Sequence, residues 1–405
     1  MNRAIGLLLA AVVLTGCQEK LTAPADCPAL CPGGQPQVYD EVFTAIAGAD
    51  SSYTGYVQPH QAASLLVSNG LQGFEELSLV RFLARADSVS LRDTLRSYTI
   101  DSVAVSLTVV ARDTNVDGLQ LLLYRVAPTF DSASTYADVA PAFVPESLIA
   151  AAAVPDSLNA GVVRTVFQGA DLTRLQIAAA DSGKLALGVR IAAPSATGAR
   201  LSALAAGTGP LFTTYVTLNV PDTGTARLRT LSLSPAFNTY VSELPQVTDP
   251  TLLAVGGAPS SRTLLRFELP ARIRDSATIV RATLELTPVA PVTGLPTDPA
   301  RLQARALLSD VGAKSPASPT VGSRGELPPP VDTLEVGTTA VTLEAVRLVE
   351  LWLGSTSRPT ALVLSLLPEA SSFSRPVFYS TLAADPAVRP RLRLSYLLSF
   401  PFETP

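Results

Sequence analysis

Side chains suited to acid–base or nucleophilic catalysis are scarce in this sequence. His60 is the only histidine, and it stands within a Gln-Pro-His-Gln segment. A Ser-His-Asp or Cys-His device would need this residue as its base, yet the sequence contains no Gly-x-Ser-x-Gly elbow to present a nucleophile. We therefore interpret His60 as a surface loop residue, and we predict no catalytic residues and no enzymatic activity.

A second pattern that could carry chemistry is Asp113-x-Asn115-x-Asp117-Gly118. Oxygen ligands at alternate positions before a glycine suit a hard cation such as Ca²⁺. The twelfth position of such a loop is Tyr124, however, where a calcium loop needs a bidentate Glu. Asp, Asn and Gly also suit a plain hairpin turn. We predict the turn, keep calcium as the alternative, and expect no cofactor.

Neighbouring carboxylates could suggest general acid–base work, and two such pairs occur, Asp40-Glu41 and Glu75-Glu76. Neighbours on a strand point to opposite faces of the sheet, which separates the two carboxyl groups. We therefore predict solvated loop charges. Arg81 and Arg266 stand at equivalent strand positions and are expected to pair with carboxylates or to lie along a sheet face.

Aromatic side chains are candidates for stacking on sugar rings, but they form only 6% of the chain. Trp352 recurs at helical spacing with Leu343 and Val346, which favours a place in the core over a place in a binding site. The tyrosine candidates near predicted turns are Tyr53, Tyr56, Tyr136 and Tyr240.

The chain has three cysteines, Cys17 by itself and the closely spaced pair Cys27 and Cys31. Cys27 and Cys31 form the segment Cys-Pro-Ala-Leu-Cys, and outside the cytoplasm they are candidates for a local disulfide. Free thiols are the first alternative. A metal site is the weaker one, because the chain has one histidine and no second cysteine pair.

Composition excludes two broad classes. Apolar residues make up 47% of the 405 residues and charged residues 16%, which is typical of a chain that buries a core. The net charge is −4, and lysine occurs only at positions 20, 184 and 314. No basic cluster exists to neutralise phosphates, so we expect no nucleic-acid partner.

The N-terminus has the form of a bacterial secretory signal, with Arg3 followed by an apolar run from Ile5 to Leu14. The next residues complete Leu-Thr-Gly-Cys17, which resembles the lipobox of bacterial lipoproteins. The resemblance implies cleavage before Cys17, lipid attachment to its sulfur and acylation of its amine. Residues 1–16 are then a signal peptide and residues 17–37 a flexible tether. Gln18 after the cysteine favours the outer membrane, with the body facing the periplasm or the cell surface.

From Val38 onward, short β-rich runs alternate with turn residues. Val103, Val105, Leu107 and Val109 recur at every second position, the period of a half-buried strand. Long helical patterns and βαβ alternation are missing from the sequence. We predict an all-β fold of antiparallel, jelly-roll-like β-sandwich domains with one or two short helices, one of them within 343–354.

The second half of the chain repeats the order of the first. A repeat of this length predicts two tandem domains, at residues 38–222 and 227–400, joined by a turn-rich linker. The matching segments are Tyr56-Val57 with Tyr240-Val241, 64–70 with 251–257, Leu79–Phe82 with Leu264–Phe267, Leu201–Ala206 with Tyr379–Ala384, and Phe212–Leu218 with Leu392–Leu398.

The second half also resembles the DNRLRE-type jelly-roll domain of secreted bacterial proteins. The resemblance implies a jelly roll, a fold that includes some carbohydrate-binding modules. One departure is Thr381-Leu382, which stands where the family often has an acidic residue. The first half is also similar to uncharacterised surface lipoproteins of Bacteroidota, through 101–107 and 121–125. The motifs of the second half are Leu264–Phe267, Ala282–Leu286, Val341-Thr342 with Trp352–Gly354, Tyr379-Ser380 and Pro390-x-Leu-x-Leu-x-Tyr396.

Together these patterns predict a lipid-anchored cell-envelope protein with a non-catalytic binding or structural role. Its expected partners are the membrane, through the N-terminal lipid, and a polysaccharide or an envelope protein. A carbohydrate-binding module protein is the first alternative, and an accessory to polysaccharide-active enzymes is the second.

Overall fold

The computed structural model describes residues 37–175, 181, 183–220, 227–243, 247, 249–258, 260–319 and 329–398. The predicted signal peptide (1–16), residues 17–36 of the predicted tether, Cys17 and the disulfide candidates Cys27 and Cys31 lie outside the described residues.

The described residues are mostly strands, and all their pairings are antiparallel. In chain order the strands are β1 (Val38–Thr44), β2 (Ser51–Thr54), β3 (Ser64–Leu71), β4 (Phe74–Phe82), β5 (Val89–Leu91), β6 (Thr94–Arg96), β7 (Tyr98–Arg112), β8 (Gln120–Arg125), β9 (Leu148–Ala153), β10 (Gly161–Gln168), β11 (Leu185–Ala192), β12 (Thr197–Ser202), β13 (Leu211–Leu218), β14 (Arg227–Leu233), β15 (Pro235–Ser242), β16 (Leu252–Ala254), β17 (Ser261–Arg266), β18 (Ala277–Leu286), β19 (Ala300–Ala306), β20 (Val331–Leu334), β21 (Val341–Glu344), β22 (Ala361–Leu367), β23 (Val377–Tyr379) and β24 (Arg391–Leu398). The α-helices are α1 (Tyr136–Val139), α2 (Ala271–Ser276) and α3 (Val346–Leu353).

The predicted all-β, antiparallel fold is confirmed. In β7, Val103, Val105, Leu107 and Val109 are all buried, as the period of two in the sequence predicts. β-Branched side chains at these positions suit a pleated surface that is covered on one face.

Strands β3 to β15 form one body, here called the N-body. One of its layers has the strand order β14-β13-β7-β10, and the other has the order β15-β4-β11-β8-β9. Strands β3 and β12 pair with each other and join the two layers, because β3 also pairs with β4 and β12 with β7. The apolar side chains between the layers form one core cluster.

The remaining strands, β1, β2 and β16 to β24, form a second body, here called the C-body. Its sheets have the orders β1-β24-β18-β21 and β2-β17-β22-β19-β20, with β16 and β23 as a separate pair. Each of these strands has a counterpart at the same place in the N-body. The fold therefore repeats the strand order that the sequence similarity indicates.

The first two strands of each half are exchanged between the bodies. β1 precedes the N-body in sequence but pairs with β24, from Val38 opposite Leu397 to Thr44 opposite Arg391. β2 likewise pairs with β17 of the C-body. Their counterparts β14 and β15 pair with β13 and β4 of the N-body. Each half of the chain thus completes the body formed by the other.

This pairing differs from the predicted division into residues 38–222 and 227–400. Sequence similarity identifies which strands are equivalent, whereas backbone hydrogen bonds decide which strands share a sheet. The predicted boundaries follow the repeat, and the exchanged strands cross them. The N-body is contiguous in the chain, while the C-body is made from two separate segments.

Side chains confirm that the exchanged strands belong where they pair. Tyr39 and Phe43 of β1 pack against the core of the C-body, and the Tyr39 ring stacks on that of Tyr396, with 5.6 Å between centroids. Leu233 of β14 packs against the core of the N-body. Both exchanges therefore bury apolar surface as well as forming backbone hydrogen bonds.

Helix α3 covers one end of the C-body core and confirms the prediction that Trp352 is a core residue. Trp352 is buried with Leu348 and Val349 on one helix face, and its indole Nε1–H donates to the carbonyl of Ala361 at 3.1 Å. Leu343, predicted to begin the helix, is instead a buried residue of β21.

A loop of the C-body, residues 368–375, attaches the two bodies to each other. Phe373 packs against Gly198 so closely that a Cβ at that glycine would lie 2.9 Å from the ring. The buried hydroxyl of Tyr240 donates to the carbonyl of Ala370 at 2.7 Å. Nearby, the Nη2 of Arg200 donates to Asp298 at 2.8 Å across the same contact. This contact is partly apolar and partly held by charge-assisted hydrogen bonds.

Candidate functional site

Packing contacts hold His60 in place, and the residue is not part of an exposed loop. It lies in the 3₁₀ turn Pro59–Gln61, is half-buried, and stacks on Phe237 with 5.8 Å between ring centroids. Arg81 lies over another part of the same Phe237 ring, 5.1 Å from its centroid. These contacts give the imidazole a structural role at the edge strand β15.

The Asp113–Gly118 segment is the turn between β7 and β8. Oδ1 of Asp113 accepts the N–H of Asn115 at 3.0 Å. The guanidinium of buried Arg112 donates to the carbonyls of Asp113 and Val116, at 3.1 and 2.9 Å. One side-chain oxygen that a cation would use, Oδ1 of Asp113, is therefore already hydrogen-bonded. Calcium binding by Asp113, Asn115 and Asp117 stays a prediction.

Glu75 and Glu76 are not solvated loop charges, so that expectation is wrong. Both belong to β4, on opposite faces of its sheet. Glu75 accepts Arg190 Nε at 2.6 Å and the hydroxyl of Tyr136 at 2.7 Å. Burial and this hydrogen bond to Glu75 raise the pKa of Tyr136. Because strand neighbours face opposite ways, the two glutamates do not form an acid–base dyad.

Glu76 is the most unusual carboxyl group among the described residues. It is 2% exposed, and its carboxyl group contacts the hydroxyls of Ser68 and Ser242 from the strands on either side. Burial raises its pKa to about 7. Its hydrogen bonds lie within the sheet, and we assign it a structural role.

The other predicted polar residues are held by local contacts. Asp40 contacts Ser395, and Glu41 pairs with Arg272 at 2.7 Å, both from β1. Arg266 pairs with Asp310 at 2.7 Å, as expected for one of the two equivalent arginines. Arg81 instead donates to backbone carbonyls.

Of the tyrosine candidates, Tyr240 is buried and Tyr136 is bound to the Glu75 carboxylate. Tyr53 is half-buried and packs with Leu264. The ring of Tyr56 lies 4.3 Å from the Arg262 guanidinium, which itself pairs with Glu369. All four are engaged in contacts within the protein.

A different tyrosine, Tyr215 of β13, lies in a surface groove. The groove has a volume of about 410 Å³ and lies on the layer that contains β7, β13 and β14. Arg164 of β10 contacts the same side chain, with Nη2 2.8 Å from the Tyr215 hydroxyl and the guanidinium 5.7 Å from the ring centroid. The groove is lined by Asp101, Tyr215, Val216, Leu228, Arg229 and Thr230.

The position of Tyr215 follows from the alternation of β13. The buried residues of this strand include Phe212, Val216 and Leu218, which lie at even spacing and share the inner face. Tyr215, at an odd position, therefore points to the outer face of the sheet. Apolar residues of neighbouring strands are also exposed there, among them Leu228, which is 69% exposed. An open sheet face with a fixed aromatic ring and exposed apolar side chains is typical of a binding surface.

A second groove, of about 460 Å³, lies at the end of the same strands. Asn219 and Ser97 line this groove and are hydrogen-bonded to each other. The backbone N–H of Asn219 donates to the carbonyl of Ser97 at 2.9 Å, and its side chain donates to the Ser97 hydroxyl at 3.1 Å. Arg96 and Leu95 come from the hairpin of β5 and β6, which has no counterpart in the C-body.

The equivalent face of the C-body lacks this arrangement. Tyr215 pairs with Thr230 in the N-body, and at the same place in the C-body Ser395 pairs with Asp40. The serine hydroxyl is bonded to the aspartate. The aromatic groove is therefore a feature of one body only. The apolar residues Phe212, Val216 and Leu218, at even spacing in the sequence, are the signal that would have placed Tyr215 on the outer face.

Within the described part of the chain, no helix is both long and apolar enough to cross a membrane. Among the same residues, no group of three or more His, Cys, Asp or Glu side chains is arranged to hold a metal ion.

Comparisons with known proteins give no family assignment. No family model matches the chain, and no curated protein matches it. One similar solved structure contains the M60 catalytic domain with the CBM51-1 and CBM51-2 domains of Clostridium perfringens ZmpB. It is 6% identical with a TM-score of 0.14, and the match covers 84% of this chain and 38% of that chain. A likeness at this level carries no argument about fold or function.

Glu76 gives a prediction for stability against pH. Its pKa of about 7 lies above the ordinary value, so the folded state holds the proton more tightly than the unfolded state. The free energy of unfolding should therefore fall between about pH 4.5 and pH 7 and level off above that range. Glu76→Gln should remove this fall and stabilise the protein at pH 8 by up to roughly 3 kcal/mol.

The measurement is urea unfolding at pH 5 and pH 8. Glu75→Gln is the matched control, because it breaks the pair with Arg190 on the opposite face and should lower stability at both pH values. If Glu76→Gln were no more stable than the wild type at pH 8, ionisation of the buried Glu76 would not destabilise the fold, and the prediction would be wrong.

Proposed function

We propose that this chain is a non-catalytic, lipid-anchored envelope protein that binds carbohydrate at the Tyr215 groove. The observation that carries the proposal is Tyr215 on an open sheet face beside Arg164 and Asp101, in a groove large enough for one or two sugar rings.

The chemistry of the groove suits a sugar. A sugar ring has an apolar C–H face, which packs on an aromatic ring, and hydroxyls at its rim, which need donors and acceptors. Tyr215 and Leu228 supply apolar contact. Asp101 and Thr230 supply oxygens, and Asp101 is held in place by the Thr217 hydroxyl at 2.8 Å. Groups that are already fixed lose little entropy when a ligand binds.

The anchor is the second part of the proposal, and it rests on the sequence. The Leu-Thr-Gly-Cys17 segment supports lipidation, and residues 17–37 give the body reach from the membrane. More than one acyl chain is needed for stable anchoring. The tether leads into β1, so the C-body is the one attached to the membrane and the N-body carries the groove.

Binding at the groove predicts a difference between two changes at Tyr215. Tyr215→Ala should lower affinity for the bound polysaccharide at least tenfold, because the ring that packs on the sugar is lost. Tyr215→Phe keeps the ring and should lower affinity less than threefold. The measurement is a glycan array followed by titration calorimetry on the best glycan.

Ser395→Ala is the control, since it changes the equivalent place in the C-body and should leave affinity unchanged. Equal affinity of Tyr215→Ala and the wild type, with both folded, would remove the groove as the binding site.

Lipidation predicts a mass increase on the peptide that begins at Cys17 when the protein is isolated from its native producer. Cys17→Ser should move the protein from the membrane fraction to the soluble fraction, because the acyl chains can no longer be attached. An unmodified Cys17 in the mature native protein would contradict the anchor.

A further inference from the structure

We infer that the ligand of the N-body is an acidic polysaccharide chain that runs across both grooves. This inference rests on the proposed carbohydrate-binding function and adds the charge and length of the ligand. Its basis is a set of three arginines, two that line the grooves (Arg96 and Arg229) and one that contacts Tyr215 (Arg164), for which no carboxylate partner is found among the described residues.

These arginines are among the guanidinium groups of the described residues for which no ion pair is found. The ion pairs of the described residues occupy other arginines, for example Arg190 with Glu75 and Arg262 with Glu369. In contrast, Arg164 donates to the Tyr215 hydroxyl, and Arg229 donates only to the neighbouring carbonyl of Leu228 at 3.2 Å. Neither contact neutralises a charge.

Arg96 supplies an independent observation in the second groove. Its Nε is buried and has no hydrogen-bond partner among the described residues. A buried guanidinium donor without a partner is costly unless a ligand or solvent satisfies it. Ser97 and Asn219 line the same groove with further polar groups. This groove therefore has the composition of a site for an anionic group.

The chemistry of a guanidinium selects the ligand class. Arginine binds a carboxylate through two parallel hydrogen bonds, and these charge-assisted bonds are stronger than those to a neutral hydroxyl. Asp101 is the acidic side chain that lines the first groove, and its carboxylate accepts the hydroxyl of Thr217. Arg229 lines the first groove, Arg164 contacts its Tyr215, and Arg96 lines the second groove, so guanidinium groups outnumber the one lining carboxylate. The grooves therefore favour a sugar that carries its own carboxylate.

The two grooves lie one after the other along the direction of β13. The first contains Tyr215 and Val216 of β13, and the second begins at Asn219, just beyond the end of that strand. Consecutive strand residues advance about 3.3 Å, so the grooves are roughly 10–13 Å apart. This distance suits consecutive or alternate sugars of one extended chain. The ligand is then a polymer with uronate residues rather than a single sugar.

The test compares polygalacturonate with its carboxyl-reduced, neutral counterpart, using the mature full-length protein in detergent. Affinity for the acidic polymer should be at least tenfold higher and should fall as salt is raised from 50 to 500 mM. Arg96→Ala and Arg229→Ala should each lower affinity for the acidic polymer three- to tenfold, and short oligomers should bind more weakly than long ones.

Arg274→Ala is the matched control, because it removes one half-buried arginine of the C-body that donates to a backbone carbonyl. It should leave affinity unchanged. Equal affinity for the acidic and reduced polymers would overturn this inference and leave the proposed carbohydrate binding standing. Binding to neither polymer, nor to any glycan on the array, would overturn both. Loss of affinity in Arg274→Ala equal to that in Arg96→Ala would show a general charge effect instead of these sites.

Discussion

Backbone pairing between strands far apart in the chain holds this protein together. β1 pairs along its full length with β24, and β2 pairs with β17, so the C-body is closed only by residues from the N-terminus. β14 and β15 close the N-body in the same way. Without β1 and β2, the C-body would expose the edges of two sheets and the core surface that Tyr39 and Phe43 cover. The exchange therefore makes each body depend on the other half of the chain.

The contact between the bodies adds to this dependence. Phe373 requires a glycine at position 198, and the pair of Arg200 and Asp298 joins an N-body strand to a C-body loop. A separate loop of the C-body, residues 368–375, reaches Tyr240 of β15, one of the exchanged strands, through the carbonyl of Ala370. The contact therefore involves β12 and β15 of the N-body, whereas the Tyr215 groove lies on β7, β13 and β14. β1, which begins at Val38, belongs to the C-body, whereas the groove lies on the N-body.

Local features of the fold could be predicted from the sequence, because they depend on neighbours in the chain. The alternation in β7 and the helical spacing of Trp352 each identify a buried face, and both predictions hold. The exchange could not be predicted, since the similarity of two repeats does not say with which repeat a strand pairs. Glu76 is buried by Ser68 and Ser242 from two other strands, and the environment of Tyr215 depends on Arg164 from a separate strand. Contacts of this kind appear only when the sheet order is known.

The exchange of strands between the two bodies is tested most directly by engineered disulfides between paired strands. The background is a variant with Cys17, Cys27 and Cys31 replaced by serine. Asp40 lies opposite Ser395, and in an arrangement without exchange β1 would take the place of β14, which would bring Asp40 opposite Tyr215. Opposed residues of antiparallel strands are close enough to be bridged. The exchange predicts that Asp40→Cys with Ser395→Cys forms an intramolecular cross-link on oxidation and that Asp40→Cys with Tyr215→Cys does not. A cross-link in the second variant and none in the first would contradict it.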